Sequence, residues 1–357
     1  MWTRILRIGL PMLLLGLVLG TPPAQATPGQ LPTQISGGAW QSGHVQGIAL
    51  DEQKGVMYFS FTDLLVKTDL QGRVLGTVEG FTGHLGDLAF NPQDGRVYGS
   101  LEYADANAFY IAVIDGDRIT ERDMDAVSSG LVKSVYLREV VADYTAPGHR
   151  YGCSGIDGVA FGPTFGARDG APKLTVAYGI YSDLDRDDND YQILLQYDIA
   201  DWRAYERPLN QNAPHTSGPA APAGKYFVYT GNTTYGVQNL EYDPHTANWF
   251  LAVYPGKKPE FPNYPFFMIE ASAQPQRQDL QGQPRPEQGL VLPLAPGGLE
   301  DENTGTRGWK FEAPYGLVAL GDGRYYVVTK GTSGKKQTGT AHLYRWTGST
   351  PTPFTKV

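Results

Sequence analysis

The sequence predicts an all-β protein, a single β-propeller of five four-stranded blades closed by an N-terminal strand. The first observation is a repeat, since His44-Val-Gln-Gly-Ile-Ala-Leu begins again as His84-Leu-Gly-Asp-Leu-Ala-Phe. This spacing matches the period of about 40–50 residues of a propeller blade. The second is that similar starts recur near residues 155, 236 and 313. The third is that apolar patterns of helical period stay within about two turns beyond residue 26.

The stretch from His44 to Asp87 is typical of one blade. Its segments are rich in Val, Ile, Phe, Tyr and Thr, and turn formers such as Asp51–Gly55 and Gln71-Gly72 separate them. Both faces of the resulting sheet are apolar, so a neighbouring sheet has to cover each face, which favours a ring. An antiparallel sandwich is the alternative, and the close repeat at His84 argues against it.

The first residues, Met1–Ala26, are typical of a signal peptide. Two arginines precede the apolar run Ile8–Leu19, and Ala24-Gln-Ala26 is a small-x-small cleavage site. This run is shorter than the roughly 20 residues of a membrane span, and no later stretch is apolar enough to be one. We therefore expect a secreted or periplasmic protein with no membrane span after signal removal, and a propeller domain over 27–357.

Composition excludes several classes of protein. The net charge of −8 disfavours nucleic acid and anionic membranes as partners. The single cysteine, Cys153, cannot form an internal disulfide and is expected to be a buried, unreactive thiol. The chain has no Gly-x-Ser-x-Gly elbow, His-Glu-x-x-His pair, phosphate-binding loop or paired-cysteine motif.

The strands after the first blade follow in blade order. The second blade is predicted at Asp87–Phe90, Arg96–Glu102, Phe109–Ile114 and Leu131–Val140. The third is predicted at Gly155–Phe161, Leu174–Tyr181, Tyr191–Ile199 and Lys225–Thr230. The fourth is predicted at Gly236–Tyr242, Trp249–Tyr254 and Pro265–Glu270. The fifth is predicted at Pro314–Leu320, Arg324–Lys330 and His342–Trp346.

Other segments lie outside this pattern. Ile35–Trp40 is an outer strand without a blade of its own, and we expect it to complete the last blade and close the ring. Thr120–Gly130 is a polar insertion, and Gln211–Gly224 is a surface loop. The long segment Ala271–Arg307 is so rich in Gln, Pro and Gly that no packed core is expected there.

The innermost strands of a propeller line a central channel, and their starts surround one mouth. Aligning the five starts predicts stacked rings of side chains around that mouth. The first ring contains His44, His84, Gly155, Gly236 and Ala313. The second contains Gln46, Gly86, Asp157, Gln238 and Tyr315, and the third contains Gly47, Asp87, Gly158, Asn239 and Gly316. Glu241 follows Asn239 with the same side-chain parity.

Converging His, Asp, Asn and Glu side chains suit a divalent metal or a polar ligand. Asp157, Asn239 and Glu241 are the predicted channel metal ligands, and His44 or His84 would move protons or orient substrate. Without a metal, Asp157 and Glu241 would form an acid and base pair, or a glycosidase carboxyl set with Asp87. Alternatively, these residues only satisfy backbone groups around a wet channel.

A second group of polar residues lies at the ends of the second strands and in the loop before the third blade. It contains Glu102, Tyr103, His149, Arg150, Tyr181 and Lys330. Tyrosines beside mixed charges suit a small polar or carbohydrate-like ligand, and a solvated rim is the alternative. The predicted ligand-binding set also contains Gln46, Asp87, Gln238, Asn239 and Tyr315.

The densest acidic cluster is the loop 183–190. Its carboxylates belong to Asp183, Asp185, Asp187, Asp188 and Asp190. They suit Ca²⁺, a hard cation that takes about six to eight oxygen ligands. The EF-hand pattern is absent, because its Gly is missing and Leu194 would stand at position twelve. A solvated acidic hairpin is the alternative.

The stretch Pro314-Tyr-Gly-Leu-Val-Ala-Leu-Gly-Asp-Gly-Arg-Tyr-Tyr-Val-Val resembles the inner-strand pattern of NHL and SMP-30/gluconolactonase-like propellers. His44–Phe61 and Gly155–Phe161 are weaker copies of it. The resemblance implies a propeller over most of the chain. In the SMP-30-like family it also implies a divalent metal held in the channel by a Glu, an Asn and an Asp from different blades. His44-Val-Gln-Gly stands here in place of that family's Glu-Gly-Pro start.

These patterns predict a secreted propeller that binds a small polar ligand, such as a carbohydrate or lactone, in its mouth. Metal-assisted hydrolysis is the predicted reaction, with a divalent cation such as Ca²⁺ as cofactor. The competing prediction is a non-catalytic propeller that binds a ligand or a protein, since this needs only a concave surface with aromatic and charged groups.

Overall fold

The computed structural model describes residues 31–357, which form 26 strands and one α-helix besides short 3₁₀ turns. The predicted signal peptide, Met1–Ala26, lies outside the described residues. Within 31–357 there is no helix with the length and apolar character needed to cross a membrane.

The first half of the chain forms two sheets and most of a third. Strand β1 is Gln34–Trp40. Blade 1 consists of β2 (Val45–Asp51), β3 (Val56–Phe61), β4 (Leu64–Asp69) and β5 (Val74–Glu79). Blade 2 follows with β6 (His84–Asn91), β7 (Arg96–Tyr103), β8 (Ala108–Ile114), the short β9 (Met124–Asp125) and β10 (Val132–Tyr136). Helix α1 (Arg138–Thr145) leads to blade 3, which begins with β11 (Cys153–Gly162), β12 (Lys173–Ile180) and β13 (Tyr191–Tyr197).

The second half completes the ring. The short β14 (Arg207–Pro208) precedes β15 (Gly224–Tyr229), the outer strand of blade 3. Blade 4 consists of β16 (Thr234–Asp243), β17 (Asn248–Tyr254) and β18 (Phe266–Glu270). Its long outer segment forms β19 (Gln276–Asp279), β20 (Gln288–Val291), β21 (Leu299–Glu300) and β22 (Arg307–Gly308). Blade 5 consists of β23 (Leu317–Ala319), β24 (Arg324–Ser333), β25 (Lys336–Trp346) and β26 (Phe354–Lys356).

The five sheets pack face to face around a channel, which confirms the predicted five-bladed propeller. Each inner strand contacts the next, in the order β2, β6, β11, β16, β23 and back to β2. The apolar core is divided into clusters, each shared by two neighbouring blades. Trp249 and Phe250, adjacent in β17, point into different clusters because side chains alternate along a strand. Each sheet is therefore buried on both faces.

The ring is closed by β1, as the sequence predicts. β1 pairs antiparallel with β25, so that Gln34 lies opposite His342 and Trp40 opposite Gln337. The first strand of the described chain thereby becomes the outer strand of the last blade. This pairing removes an open sheet edge from blade 5.

Most outer edges are covered by strands that come from the following blade. β9 leaves blade 2 and pairs with β5 of blade 1, while β14 pairs with β10 of blade 2. β20, from the segment after blade 4, pairs in parallel with β15 of blade 3. The insertions are thus structural, because they satisfy backbone groups that an open edge would leave unpaired.

Two sequence predictions are wrong in detail. The predicted strand Leu131–Val140 ends at Tyr136, and helix α1 follows, packed with Val140 against the core of blades 2 and 3. The segment Ala271–Arg307 does contribute to the core, because Leu280 and Leu292 are buried. Its few apolar residues are enough, since neighbouring blades supply the rest of each cluster.

We expect Ile35→Ala to lower the free energy of unfolding by about 2–5 kcal/mol, the usual cost of truncating a buried Ile. Ile35 is 1% exposed and lies in the closing strand. Gln34→Ala, at the exposed neighbouring position, is the control. Chemical denaturation followed by tryptophan fluorescence measures both variants. Equal stability of the two would show that closure by β1 does not stabilise the ring.

Candidate functional site

A β-bulge occurs at the same position in four inner strands. The extra residues are Gln46 in β2, Gly86-Asp87 in β6, Asp157-Gly158 in β11 and Gln238 in β16. A bulge removes a residue from the hydrogen-bonded ladder and redirects its side chain. Four members of the second predicted ring stand at these bulges, namely Gln46, Gly86, Asp157 and Gln238. A repeated backbone irregularity therefore positions this ring.

A cavity of about 470 Å³ opens at the mouth where the inner strands begin, and we call it the upper cavity. It is lined by His44, Gln46, His84, Glu102, Ser154, Asp157, Gly179, Tyr181, Thr234, Tyr235, Gln238, Tyr254 and Lys330. All five blades contribute to this lining. The upper cavity therefore brings together eight of the predicted site residues, namely His44, Gln46, His84, Glu102, Asp157, Tyr181, Gln238 and Lys330.

Asp157 is buried on the wall of the upper cavity. Its Oδ2 accepts a 2.8 Å hydrogen bond from Gln238 Nε2. A Cβ on Gly86 would lie 2.7 Å from Asp157 Oδ1, so glycine at that position leaves room for the carboxyl group. Burial raises the pKa of Asp157 to about 7, although the charge of His84 and the hydrogen bond from Gln238 act to lower it. The carboxyl group therefore exchanges its proton near neutral pH.

His84 and Glu102 form an ion pair beside Asp157, with 3.6 Å between His84 Nδ1 and Glu102 Oε2. Glu102 Oε1 also accepts a hydrogen bond from Ile156 N of blade 3. Burial alone would lower the pKa of His84, but the carboxylates of Glu102 and Asp157 outweigh it and raise the pKa to about 9. The His84 imidazole is therefore a cation at neutral pH.

His44 has the opposite protonation state. Its Nε2 lies 3.0 Å from the Tyr254 hydroxyl, and its ring meets Tyr315 edge-on. Lys330 Nζ lies 4.5 Å from the centre of the Tyr315 ring. Burial lowers the pKa of His44 to about 4, and the charges of Lys330 and His84 act in the same direction. His44 is thus a neutral donor and acceptor at the cavity wall.

Asp87 and Asn239 were predicted to bind ligand, but the structure places both in contacts between blades. Asp87 Oδ1 accepts a hydrogen bond from Leu88 N, and Oδ2 accepts from Val159 N and Leu240 N. Asn239 Nδ2 donates to Gln46 O at 2.8 Å. Both side chains are fully buried, so they plug the channel below the upper cavity.

Glu241 lies at the other end of the channel. It lines a separate cavity of about 310 Å³, the lower cavity, where its Oε1 accepts a hydrogen bond from Ala319 N. The strand rises about 3.3 Å per residue, so three residues beyond Gln238 the side chain is carried roughly 10 Å along the axis. The acid and base pair Asp157 and Glu241, and the glycosidase set with Asp87, are therefore not assembled.

The residues also do not fit the channel metal that the resemblance implies. Asp157 lines the upper cavity and Glu241 lines the lower one, so the three predicted ligands are spread along the channel. In residues 31–357 no group of three or more His, Cys, Asp or Glu side chains is placed to hold a metal ion. The positions of Asp157, Asn239 and Glu241 therefore do not fit one channel metal.

The acidic loop is held by internal contacts. Lys258, which is 3% exposed, donates to Asp190 Oδ1 at 2.7 Å, and Arg186 Nε lies 2.8 Å from Asp188 Oδ1. Asp183 Oδ1 accepts a hydrogen bond from the backbone nitrogen of Asp185. The predicted calcium ligands Asp183, Asp185, Asp187, Asp188 and Asp190 are thus not converged on one point.

Three predicted rim residues lie outside the upper cavity. Tyr103 donates a 2.7 Å hydrogen bond to Gln211 Oε1 in the surface loop. His149 packs between the rings of Tyr144 and Tyr181, and Arg150 pairs with Glu287 at 2.6 Å. Tyr315, predicted in the second ring, is also absent from the lining, but it contacts His44 and Tyr254 and so supports the cavity wall.

Five residues of the lining were not predicted, namely Ser154, Gly179, Thr234, Tyr235 and Tyr254. Tyr254 ends the second strand of blade 4, as Tyr103 ends that of blade 2, so strand ends were an available signal. Tyr235 is 55% exposed and has a positive φ of 65°, which is unusual for tyrosine. Sequence gives no sign of that backbone conformation.

Fold and cavity together define the class of this protein, a five-bladed β-propeller with a polar cavity at one mouth of its channel. No protein-family model and no curated protein sequence matches the chain.

Among solved structures, the chain is similar to a Dos1 propeller, at 10% identity and TM-score 0.33, over 83% of this chain and 78% of that one. It is similar to hydrazine synthase of Kuenenia stuttgartiensis at 12% identity and TM-score 0.38, over 80% and 64%. It is also similar to the propeller domain of Cps50 (Swd1) from Myceliophteria thermophila, at 9% identity and TM-score 0.31, over 83% of each chain.

NMR titration of the histidine ring protons is expected to give midpoints near pH 9 for His84 and near pH 4 for His44. Because the folded pKa of His84 exceeds its ordinary value of 6.5, its contribution to stability is full below pH 6.5 and is lost as pH rises through 9. Glu102→Gln should lower the His84 midpoint, whereas the exposed control Glu121→Gln should not. Two midpoints near 6.5 would contradict this charge arrangement.

Proposed function

We propose that this propeller binds a small, uncharged polar organic molecule, such as a sugar or a lactone, in its upper cavity. The observation that carries the proposal is the convergence of mixed donors and acceptors from all five blades on one cavity of about 470 Å³. With the predicted signal peptide, we propose that it acts as a secreted or periplasmic protein.

The charges of the upper cavity favour a neutral ligand. The cations His84 and Lys330 are opposed by Glu102 and by the partly ionised Asp157. A ligand with a full charge would disturb this balance at a cost, whereas hydroxyl and carbonyl groups would not. The ligand would therefore be recognised through hydrogen bonds rather than through ion pairing.

The shape of the lining favours a ring-shaped molecule that carries hydroxyl groups. Tyr181, Tyr235 and Tyr254 offer flat apolar surfaces together with hydroxyl groups. The amide nitrogens of Gln46 and Gln238 already donate to Thr62 and Asp157, so their oxygens are the groups left to accept from a ligand. This combination suits molecules with one apolar face and several hydroxyls.

Asp157→Asn is expected to weaken ligand binding at least about tenfold, since a charge-assisted hydrogen bond contributes about 1.5–3 kcal/mol. Asp169→Asn, on the exposed turn between β11 and β12, is the matched control and should bind as the wild type does. Calorimetry against a panel of monosaccharides, aldonolactones and the open acids measures this. If the Asp157 variant bound the same compounds with unchanged affinity, the ligand site would lie elsewhere.

The same cavity supports hydrolysis as a second candidate function. Asp157 has a pKa near 7 and lies beside the protonated His84, so a base and an acid are available together. Asp157 would take a proton from a water that attacks the lactone carbonyl carbon. The ring C–O bond would then break, and His84 would give its proton to the leaving oxygen, which yields the hydroxy acid.

For this reaction Asp157→Asn should lower kcat by at least about 10²-fold, the usual contribution of a general base. Lactone turnover by the wild type should rise with pH through about 7, as Asp157 ionises, and fall above about 9, as His84 loses its proton. Activity should survive EDTA, because the predicted metal donors are dispersed. Loss of turnover in EDTA and recovery with Ca²⁺ would contradict the metal-free mechanism.

A further inference from the structure

The lower cavity is a second site on the same axis, at the opposite mouth. It is lined by Leu50, Asp51, Glu52, Gln53, Leu88, Ala89, Phe90, Pro92, Phe161, Glu241, Val318 and Ala319. The buried side chains of Asp87 and Asn239 lie between it and the upper cavity. A molecule in the lower cavity therefore does not reach His84 or Asp157.

Most of the lower wall is apolar and aromatic. Phe90 and Phe161 are both partly exposed at the cavity, and Leu88 and Val318 add aliphatic surface. The Phe161 ring is fixed edge-on against Tyr98, with 5.0 Å between the ring centres. Two phenyl rings held at a cavity wall attract organic cations as well as apolar groups, because the face of an aromatic ring is electronegative.

The polar part of the lower wall is acidic. Asp51 is already engaged by Lys54, through the backbone nitrogen at 3.1 Å and through Nζ at 3.7 Å. Glu241 accepts only the backbone hydrogen bond from Ala319, and within residues 31–357 no Lys, Arg or His nitrogen lies within 4.0 Å of its carboxyl group. Around Glu52, Arg324 is paired with Asp322 at 2.6 Å. In the part of the chain that the structure describes, Glu241 therefore has no ion-pair partner, and Glu52 has only the nearby charge of Arg324, which is itself paired with Asp322.

We propose that the lower cavity binds a small organic cation, an ammonium group with an apolar or aromatic body. The ammonium group would lie against Glu241 and the ring faces of Phe90 and Phe161, while the body would cover Leu88 and Val318. The cation would replace the water lost by the Glu241 carboxylate, which lowers the free-energy cost of burying that charge. The proposal does not depend on the function proposed for the upper cavity.

The affinity for such a cation is expected to rise with pH. Burial raises the pKa of Glu241 to about 8, so the carboxyl group is mostly neutral below that pH and cannot attract a cation strongly. The titratable and charged groups around this part of the wall are Asp87, Asp243, Glu52, Asp322, Arg324 and the Asp51–Lys54 pair. The Glu241→Gln variant distinguishes ionisation of Glu241 from any change at these neighbours.

Benzyltrimethylammonium is a suitable probe because its charge does not depend on pH, and benzyl alcohol is its neutral counterpart. In NMR titrations of the full chain, we expect saturable shifts for the cation at Phe161 and Ala319, and at least about tenfold weaker binding of the alcohol. Glu241→Gln should weaken binding of the cation at least about tenfold and remove the rise near pH 8. Gln still accepts the hydrogen bond from Ala319 N, so the fold is kept.

Asp157→Asn, in the upper cavity, is the control and should leave binding of the cation unchanged. Circular dichroism and thermal melting establish that each variant is folded. Absence of saturable shifts, equal affinity for the alcohol, or undiminished binding by the Glu241 variant would each overturn the proposal. Failure of sugars or lactones to bind would count only against the upper cavity, so the two proposals are tested separately.

Discussion

The structure depends on one buried carboxyl group at its axis, that of Asp87. Asp87 takes hydrogen bonds from the backbone nitrogens of Leu88, Val159 and Leu240, which belong to three different blades. Burial raises the pKa of Asp87 well above its ordinary value, and the three donors act in the opposite direction. Because a buried carboxyl group without hydrogen-bond partners is costly, the inner strands have to stay where they supply these partners.

The same interaction divides the channel into two sites of different character. Above Asp87 the lining is polar and balanced in charge, with a protonated His84 beside Glu102 and Asp157. Below it the lining is apolar, aromatic and acidic. A plug made of hydrogen bonds rather than of apolar packing is specific in direction, so it fixes how the blades are rotated about the axis as well as how far apart they lie.

Much of the fold was predictable because the blade repeat is a matter of spacing and turn residues, which the sequence shows directly. The strands and buried residues of Ala271–Arg307 could not be predicted, because a segment poor in apolar residues can still pack where neighbouring blades provide the core. For the site, alignment of the five starts identified Gln46, Asp157 and Gln238, but it did not predict the bulges that redirect their side chains. Glu241 was misplaced because parity specifies a face of the sheet and not a height along the strand.

The strands that cover the outer edges have a consequence for how the chain is made. β5 receives β9 only after part of blade 2 exists, and β15 receives β20 only after blade 4 has formed. Blade 5 lies open until β1, the earliest strand, returns to it. During synthesis from the amino end, the outer strands of blades 1 to 3 therefore remain unpaired at one edge until later residues have been made. In the finished ring, each covered blade edge therefore depends on a strand that another part of the chain supplies.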